Sequence, residues 1–131
     1  PIRHFKIPGL IIGPGISPAN YTNVASQIDL PPTLLSLMGI SGEHPMVGRD
    51  LTLPPRPDGG RAIMQYATNQ AYRIGDQVII LQPQQLPAQY TYRNQELVDK
   101  KTSPDPELAA NALAHALWPS LAYRKNYHTL P

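Results

Sequence analysis

Cysteine and long hydrophobic runs are both missing from this chain of 131 residues. The lack of cysteine excludes disulfides and thiolate metal sites, and it permits an oxidising compartment without identifying one. No apolar run approaches the ~18 residues that a membrane-spanning helix needs. The sequence therefore predicts no membrane span in this chain.

An excess of charge of one sign is also missing. The 11 basic and 9 acidic residues give a formal net charge of +2. The densest basic groups lie far apart in the sequence, at residues 3–6, 100–101 and 124–125. Binding to a nucleic-acid backbone requires basic side chains clustered on one face, so we expect no nucleic-acid partner.

Complete catalytic motifs are absent as well. No serine lies in a Gly-x-Ser-x-Gly elbow, and no Lys-Ser or Lys-Thr step follows the glycines of residues 9–15 as it would in a phosphate-binding loop. The histidines at 44, 115 and 128 are scattered without the spacing of a metal site. The sequence therefore predicts neither a catalytic residue nor a metal ligand in this chain.

Proline is plentiful, at 16 of 131 residues, against an average usage of about 5%. Only 41% of the residues are hydrophobic. Regular elements are therefore interrupted often, above all between residues 41 and 60, where glycine and proline predict a surface connection. This composition is typical of a segment that packs against further protein.

The first forty residues predict a strand, a loop and a helix. Leu10, Ile11 and Ile12 form a short apolar run that suits a strand covered on both faces, which would need partner strands. A helix is predicted from about Pro31 to Met38. We expect Asp29 to cap its start, with Gly39 after its last turn.

The second half predicts a small antiparallel sheet and a helix. Four strands are expected at residues 62–66, 71–74, 77–81 and 89–92, with a turn at Asn69-Gln70. Asp105 or Ser103 can cap a helix that begins near Glu107. Apolar residues at three- and four-residue steps give that helix one face for packing, and Pro119 is expected to kink it or begin a new turn.

These segments also carry a family resemblance. The wording of residues 7–15 and 26–40, followed by His-Pro-Met-Val-Gly-Arg-Asp-Leu at residues 44–51 and by the strand pattern of residues 61–83, resembles the C-terminal part of sulfatase-like enzymes of the alkaline phosphatase superfamily. Within that superfamily the chain is most similar to the branch of lipoteichoic acid synthases and phosphoglycerol transferases.

The resemblance implies an α/β fold, the C-terminal portion of an α/β/α sandwich. Residues 1–60 would supply one core strand, a helix and a proline-rich connection, and residues 61–131 a small antiparallel sheet subdomain and a C-terminal helix. Members of the family bind a divalent metal, here manganese, magnesium or calcium, through residues that the resemblance places upstream of Pro1. This chain would thus be an inactive C-terminal fragment, forming scaffold and cleft wall, whose partner is the remainder of the catalytic domain.

The resemblance further implies a phosphodiester or sulfate ester substrate, including anionic phospholipid-derived esters. His4 and Arg73 are the candidate substrate-binding residues, because the loop before the Ile-Pro strand and the C-terminal subdomain border the active-site cleft in related enzymes. The implied location is the periplasm or the outer face of the bacterial inner membrane. The alternative is an independent, non-enzymatic protein-interaction module. Such a module should have a closed core, whereas a fragment should expose apolar residues at 10–12 or 34–38.

Overall fold

The structure is a computed structural model that describes residues 2–129. Pro1, Leu130 and Pro131, at the ends of the two predicted domains, lie outside the described residues. Within the described range, five strands form one antiparallel sheet in which each strand pairs with the next along the chain. The strands are β1 (Arg61–Tyr66), β2 (Asn69–Ile74), β3 (Gln77–Leu81), β4 (Ala88–Arg93) and β5 (Glu96–Lys101).

Tight turns set the register of this sheet. Two-residue connections join β1 to β2, β2 to β3 and β4 to β5. In the last of these, Asn94 and Gln95 have φ values of +51° and +67°. Two successive positive φ angles match the right-handed twist of the flanking strands, which is why such turns favour hairpins.

Two details of the sheet differ from the sequence prediction. The first turn lies at residues 67–68, where Ala67 has a φ of +52°, and Asn69 and Gln70 already belong to β2. The sequence predicts four strands, and the structure has a fifth, β5, after β4. This strand is mostly exposed and polar, so it lacks the alternating apolar pattern by which strands are recognised.

Helix α2 (Pro106–Arg124) covers one face of the sheet. Its predicted cap is confirmed, since the Asp105 carboxylate accepts a hydrogen bond from the Leu108 backbone N–H at 2.9 Å. The helix is continuous across Pro119. The core lies between this helix and the sheet, where Tyr72, Ile79 and Ala112 are buried together.

The N-terminal half contains a short 3-10 helix at Ile2–Phe5, another at Gln27–Asp29 and helix α1 (Leu30–Leu37). The helix predicted at about residues 31–38 is confirmed, and Gly39 follows it with a φ of +69°. Val24 forms a parallel bridge to Gly60 just before β1. The segment around Val24 therefore joins the chain next to the start of β1, whereas the first 3-10 helix contacts β5.

Residues 10–12 have no strand partner within the part of the chain that is described, and no strand forms there. Leu10 and Ile12 are 83% and 84% exposed. Several side chains of α1 and the turn after it are exposed too, namely Leu30, Leu34, Leu37, Met38 and Ile40. We refer to these residues together as the exposed apolar surface.

The predicted fold class is confirmed, because the chain is α/β with a small antiparallel sheet followed by a C-terminal helix. None of the helices in residues 2–129 has the length and apolar character needed to cross a membrane.

Candidate functional site

The Asp29 carboxylate is almost completely buried, at 1% exposure, where α1 meets the beginning of β1. It accepts hydrogen bonds from the backbone N–H of Ser26 at 2.8 Å and of Arg49 at 2.7 Å. The Nη2 atom of Arg61 lies 3.3 Å from the same carboxylate. No carboxylate bond to the first turn of α1 is present among these contacts, so the expected cap of α1 is wrong. Asp29 instead ties three segments of the chain together.

Arg61 is the buried cation of this group, with a side chain that is 3% exposed. Besides Asp29, its Nη2 atom donates to the carbonyl oxygen of Val47 at 2.9 Å. Its Nη1 atom is buried and has no hydrogen-bond partner among the described residues. Burial lowers the pKa of the Arg61 guanidinium, and the Asp29 charge opposes that change. The group therefore combines a carboxylate whose hydrogen bonds are satisfied with a guanidinium whose Nη1 donors are unused.

Arg49 forms a second ion pair beside the first. Its Nη1 and Nη2 atoms donate to the two carboxylate oxygens of Asp58 at 3.2 and 2.9 Å, which is the forked geometry of a strong pair. Asp58 also accepts from the Gly60 backbone N–H at 2.9 Å. The Arg49 hydrogen bonds hold the pKa of Asp58 below its usual value of 3.8, although burial opposes them.

Asp29, Arg49 and Arg61 border a cleft of about 420 Å³. We call it the arginine cleft, because Arg49, Arg56 and Arg61 all line it. His115 of α2 lines it as well and lies against Tyr72, with ring centroids 4.9 Å apart. The cleft thus sits where the start of β1, the proline-rich connection and α2 meet.

Backbone geometry adds to the shape of the cleft. Gly60 approaches the backbone of Val24 so closely that a Cβ at this position would overlap the Val24 carbonyl, and its φ is +85°. Thr33 links α1 to the proline-rich connection, since its hydroxyl donates to the Asp29 carbonyl at 2.6 Å and accepts from the Leu51 N–H at 3.0 Å. The close approach of Gly60 to Val24 and the hydrogen bonds of Thr33 therefore hold the chain segments around the cleft next to one another.

A divalent metal does not fit the side chains of residues 2–129. Such sites need several carboxylate, imidazole or thiolate ligands around one point. Residues 2–129 contain no group of three or more His, Cys, Asp or Glu side chains arranged to hold a metal ion. The buried Asp29 and the Asp58 carboxylate are already engaged by arginine, so we assign no metal-dependent step to this chain.

The two residues predicted to bind substrate lie apart from the arginine cleft. His4 is exposed in the first 3-10 helix, which contacts β5. Arg73 lies on β2, which is separated from β5 by the two strands β3 and β4. Its Nε atom donates to the Gly75 carbonyl at 2.7 Å, and its guanidinium carbon lies 4.1 Å from the centre of the Tyr92 ring. Both roles in substrate binding stay predictions.

No motif in the sequence indicates a buried role for Arg49 or Arg61. An arginine directly before an apolar strand is normally a surface residue, so its position predicts exposure. The only local signal is the glycine pair before Arg61, which permits a close backbone approach. The partners of Arg61 are distant in sequence and could not be identified from spacing.

Comparison with known proteins gives one informative match. No protein-family model matches the chain. Among solved structures, the chain is similar to one described as the crystal structure of a protein in the alkaline phosphatase superfamily from Vibrio parahaemolyticus. The two sequences are 39% identical, with a TM-score of 0.91, and the match covers 100% of this chain and 32% of that chain. This chain therefore spans about a third of the length of its structural neighbour.

The match agrees with the resemblance found in the sequence at the level of the superfamily. It does not distinguish the branch of lipoteichoic acid synthases from other branches. The fold of this chain matches a fragment of an alkaline phosphatase-superfamily domain, and the comparison supports that superfamily.

Proposed function

We propose that this chain is the scaffold and cleft wall of a longer, metal-dependent enzyme, a phosphoglycerol transferase or a sulfatase-like hydrolase that acts on phosphodiester or sulfate esters. The observation that carries the proposal is the similarity of the whole chain to 32% of a superfamily protein. On this proposal, the nucleophile and the ligands of manganese, magnesium or calcium belong to the remaining part of the catalytic domain. The chain alone would then have no activity.

The exposed apolar surface supports the same proposal. Soluble domains rarely leave large apolar areas open unless another protein surface covers them. Leu10 and Ile12 are almost fully exposed, and the outer side chains of α1 are exposed as well. An independent interaction module would have closed its core over these positions. We therefore propose that the remainder of the catalytic domain covers this surface, supplying strands beside residues 10–12.

Substrate contacts and location complete the proposal. His4 and Arg73 would contact the anionic group of the substrate. A positive or hydrogen-bonding side chain at this place stabilises the negative charge that develops in the transition state. We propose the periplasm or the outer face of the bacterial inner membrane as the location. Support for these points comes from the family resemblance of residues 7–15, 26–40, 44–51 and 61–83.

The test compares the isolated chain with the longer protein. The purified chain should hydrolyse neither p-nitrophenyl phosphate nor p-nitrophenyl sulfate with added manganese, magnesium or calcium, whereas the longer protein should hydrolyse one of them. Turnover by the isolated chain that disappears on mutating one of its own residues would overturn the proposal. In the longer protein, His4→Ala should lower kcat/KM by roughly tenfold to a thousandfold with little change in Tm. Unchanged kinetics would remove His4 from the site.

A further inference from the structure

Arg61, one of the residues that line the arginine cleft, has a donor that nothing in residues 2–129 uses. Arg61 Nη1 is buried without a partner, and a guanidinium Nη atom carries two N–H groups. Buried polar atoms are nearly always hydrogen-bonded, so an isolated one calls for a water molecule or a ligand. The other nitrogen of the same fork, Nη2, already bonds to Asp29 and Val47. The unused donor is therefore held in place and cannot turn away to find a partner.

The charged groups at the cleft include one cation, Arg56, that can meet an anionic ligand. Arg49 and Arg56 line the same cleft, and both disfavour the charged form of Arg61 through repulsion. The nearby carboxylates already accept hydrogen bonds from the protein. Asp29 accepts from three donors, and Asp58 accepts from Arg49 and Gly60. Asp50 accepts from the backbone N–H and the hydroxyl of Thr52. Arg56 has no ion pair or side-chain hydrogen bond within residues 2–129. The cleft therefore has a cation without an ion pair at Arg56 and an unused hydrogen-bond donor at Nη1 of Arg61.

We propose that the arginine cleft binds a small oxyanion of the phosphate, sulfate or carboxylate class, with Arg61 Nη1 as the buried donor and Arg56 as the exposed cation. Guanidinium groups suit such ligands because their planar forks match the spacing of oxyanion oxygens. The volume of about 420 Å³ is ample for an oxyanion with its waters. It also lies within the range of roughly 300–1,000 Å³ that is usual for small-molecule sites.

The binding experiment uses inorganic phosphate and sulfate as probes, with chloride at matched ionic strength as the reference. The Arg61 side-chain N–H signals should shift saturably in ¹H–¹⁵N spectra during the phosphate or sulfate titration, and Tm should rise with the anion concentration. Acetate in a third titration tests whether a carboxylate suffices. The experiment requires no turnover, so its result is independent of the proposed enzymatic role.

Matched variants separate a specific site from general charge screening. Arg56→Gln removes an exposed cation of the cleft, and we expect it to weaken phosphate binding about threefold, the scale of one exposed ion pair. Arg93→Gln removes the same charge from the β4–β5 hairpin, where Arg93 pairs with Asp99, and should leave the affinity unchanged. Both substitutions affect exposed side chains, so folding should be preserved. Equal weakening by the two variants would overturn the proposal. So would Arg61 signals that stay constant up to the highest anion concentration, which would mean that water alone occupies Nη1.

Discussion

The Asp29 carboxylate bonds to three segments of the chain at once, at residues 26, 49 and 61. Its partners Arg49 and Arg61 are 20 and 32 residues away in sequence. The cap made by Asp105 involves a residue only three positions away and could be predicted from the local pattern. The role of Asp29 could not, because nothing in its neighbourhood indicates a buried arginine partner.

The first prediction concerns the charge of Asp29. In Asp29→Asn the side chain keeps its shape, but the buried Arg61 guanidinium loses its counter-charge. Breaking a buried ion pair from one side typically destabilises a protein by about 3–5 kcal/mol. We expect a loss of that size in the free energy of unfolding, measured from urea denaturation. If Asp29 served only as a helix cap, asparagine would replace it with almost no loss.

Asp105→Asn is the matched control, because this carboxylate caps α2 with a single bond to the Leu108 N–H. Asparagine caps helices as well as aspartate does, so this variant should unfold at nearly the same denaturant concentration as the original protein. Equal midpoints for the two variants would contradict the buried-pair interpretation.

The second prediction concerns pH and Asp58. The pKa of this carboxyl is lowered in the folded state by the Arg49 hydrogen bonds, below the usual 3.8 that it regains on unfolding. Its contribution to stability is therefore complete above about pH 4 and is lost as pH falls through the lower, folded pKa. Asp58→Asn should destabilise the protein by about 1 kcal/mol at pH 7.

The difference between this variant and the original protein should shrink as the pH is lowered toward 3. Denaturation curves recorded at several pH values in that range measure the difference directly. A difference that stays constant between pH 7 and pH 3 would show that the Arg49–Asp58 pair adds nothing through charge.

At the level of elements, local signals predicted most of the structure. Helices α1 and α2, and strands β1 to β4, were expected within a few residues of their observed bounds. Strand β5 was not, because its side chains are mainly charged and it lies at the edge of the sheet. Its pairing with β4 compensates for its weak pattern, and pairing is a long-range property that composition does not reveal.

The third prediction concerns the turn that creates β5. Gln95 adopts a φ of +67°, which is unfavourable for a residue with a side chain. Glycine adopts this conformation freely, and Asn-Gly is the preferred pair for such turns. Gln95→Gly should therefore raise the free energy of unfolding by about 0.5–1 kcal/mol.

A glycine in the regular strand β2 provides the control. Gln70→Gly introduces the same chemical change where the backbone is extended, so it should destabilise the protein by about 0.5–1 kcal/mol. Thermal unfolding of both variants measures the two effects. Loss of stability in Gln95→Gly would show that the turn is not as described.

For the whole molecule, the exposed apolar surface and the core differ in how far their apolar side chains are covered by the described residues. Leu10 and Ile12 were predicted as a strand covered on both faces, yet the described residues provide no cover for them. The apolar run at residues 10–12 predicts a strand that other protein covers. In our proposal, that cover comes from the rest of the longer protein. The sequence therefore predicts the tendency of these residues to be buried, but residues 2–129 do not provide a partner strand for them.

The fourth prediction follows from that contrast. The double variant Leu10→Ser, Ile12→Ser should change the free energy of unfolding of this chain by no more than about 0.5 kcal/mol, as for other exposed positions. Ile79→Ala, at a fully buried position of the core, should cost about 2–5 kcal/mol. The double variant should also reduce binding of a hydrophobic dye. A loss as large as that of Ile79→Ala would mean that residues 10 and 12 pack inside this chain.

The buried contact between Asp29 and Arg61 also has a consequence for synthesis on the ribosome. The two residues are 32 positions apart, and Asp29 is made first. At translation rates of about 5–20 residues per second, Arg61 is added to the chain about two to six seconds after Asp29. The sheet that follows joins only neighbouring strands, so it can assemble quickly once it has been made. The segment around Asp29 therefore lacks its buried arginine contact until the start of the sheet has been synthesised.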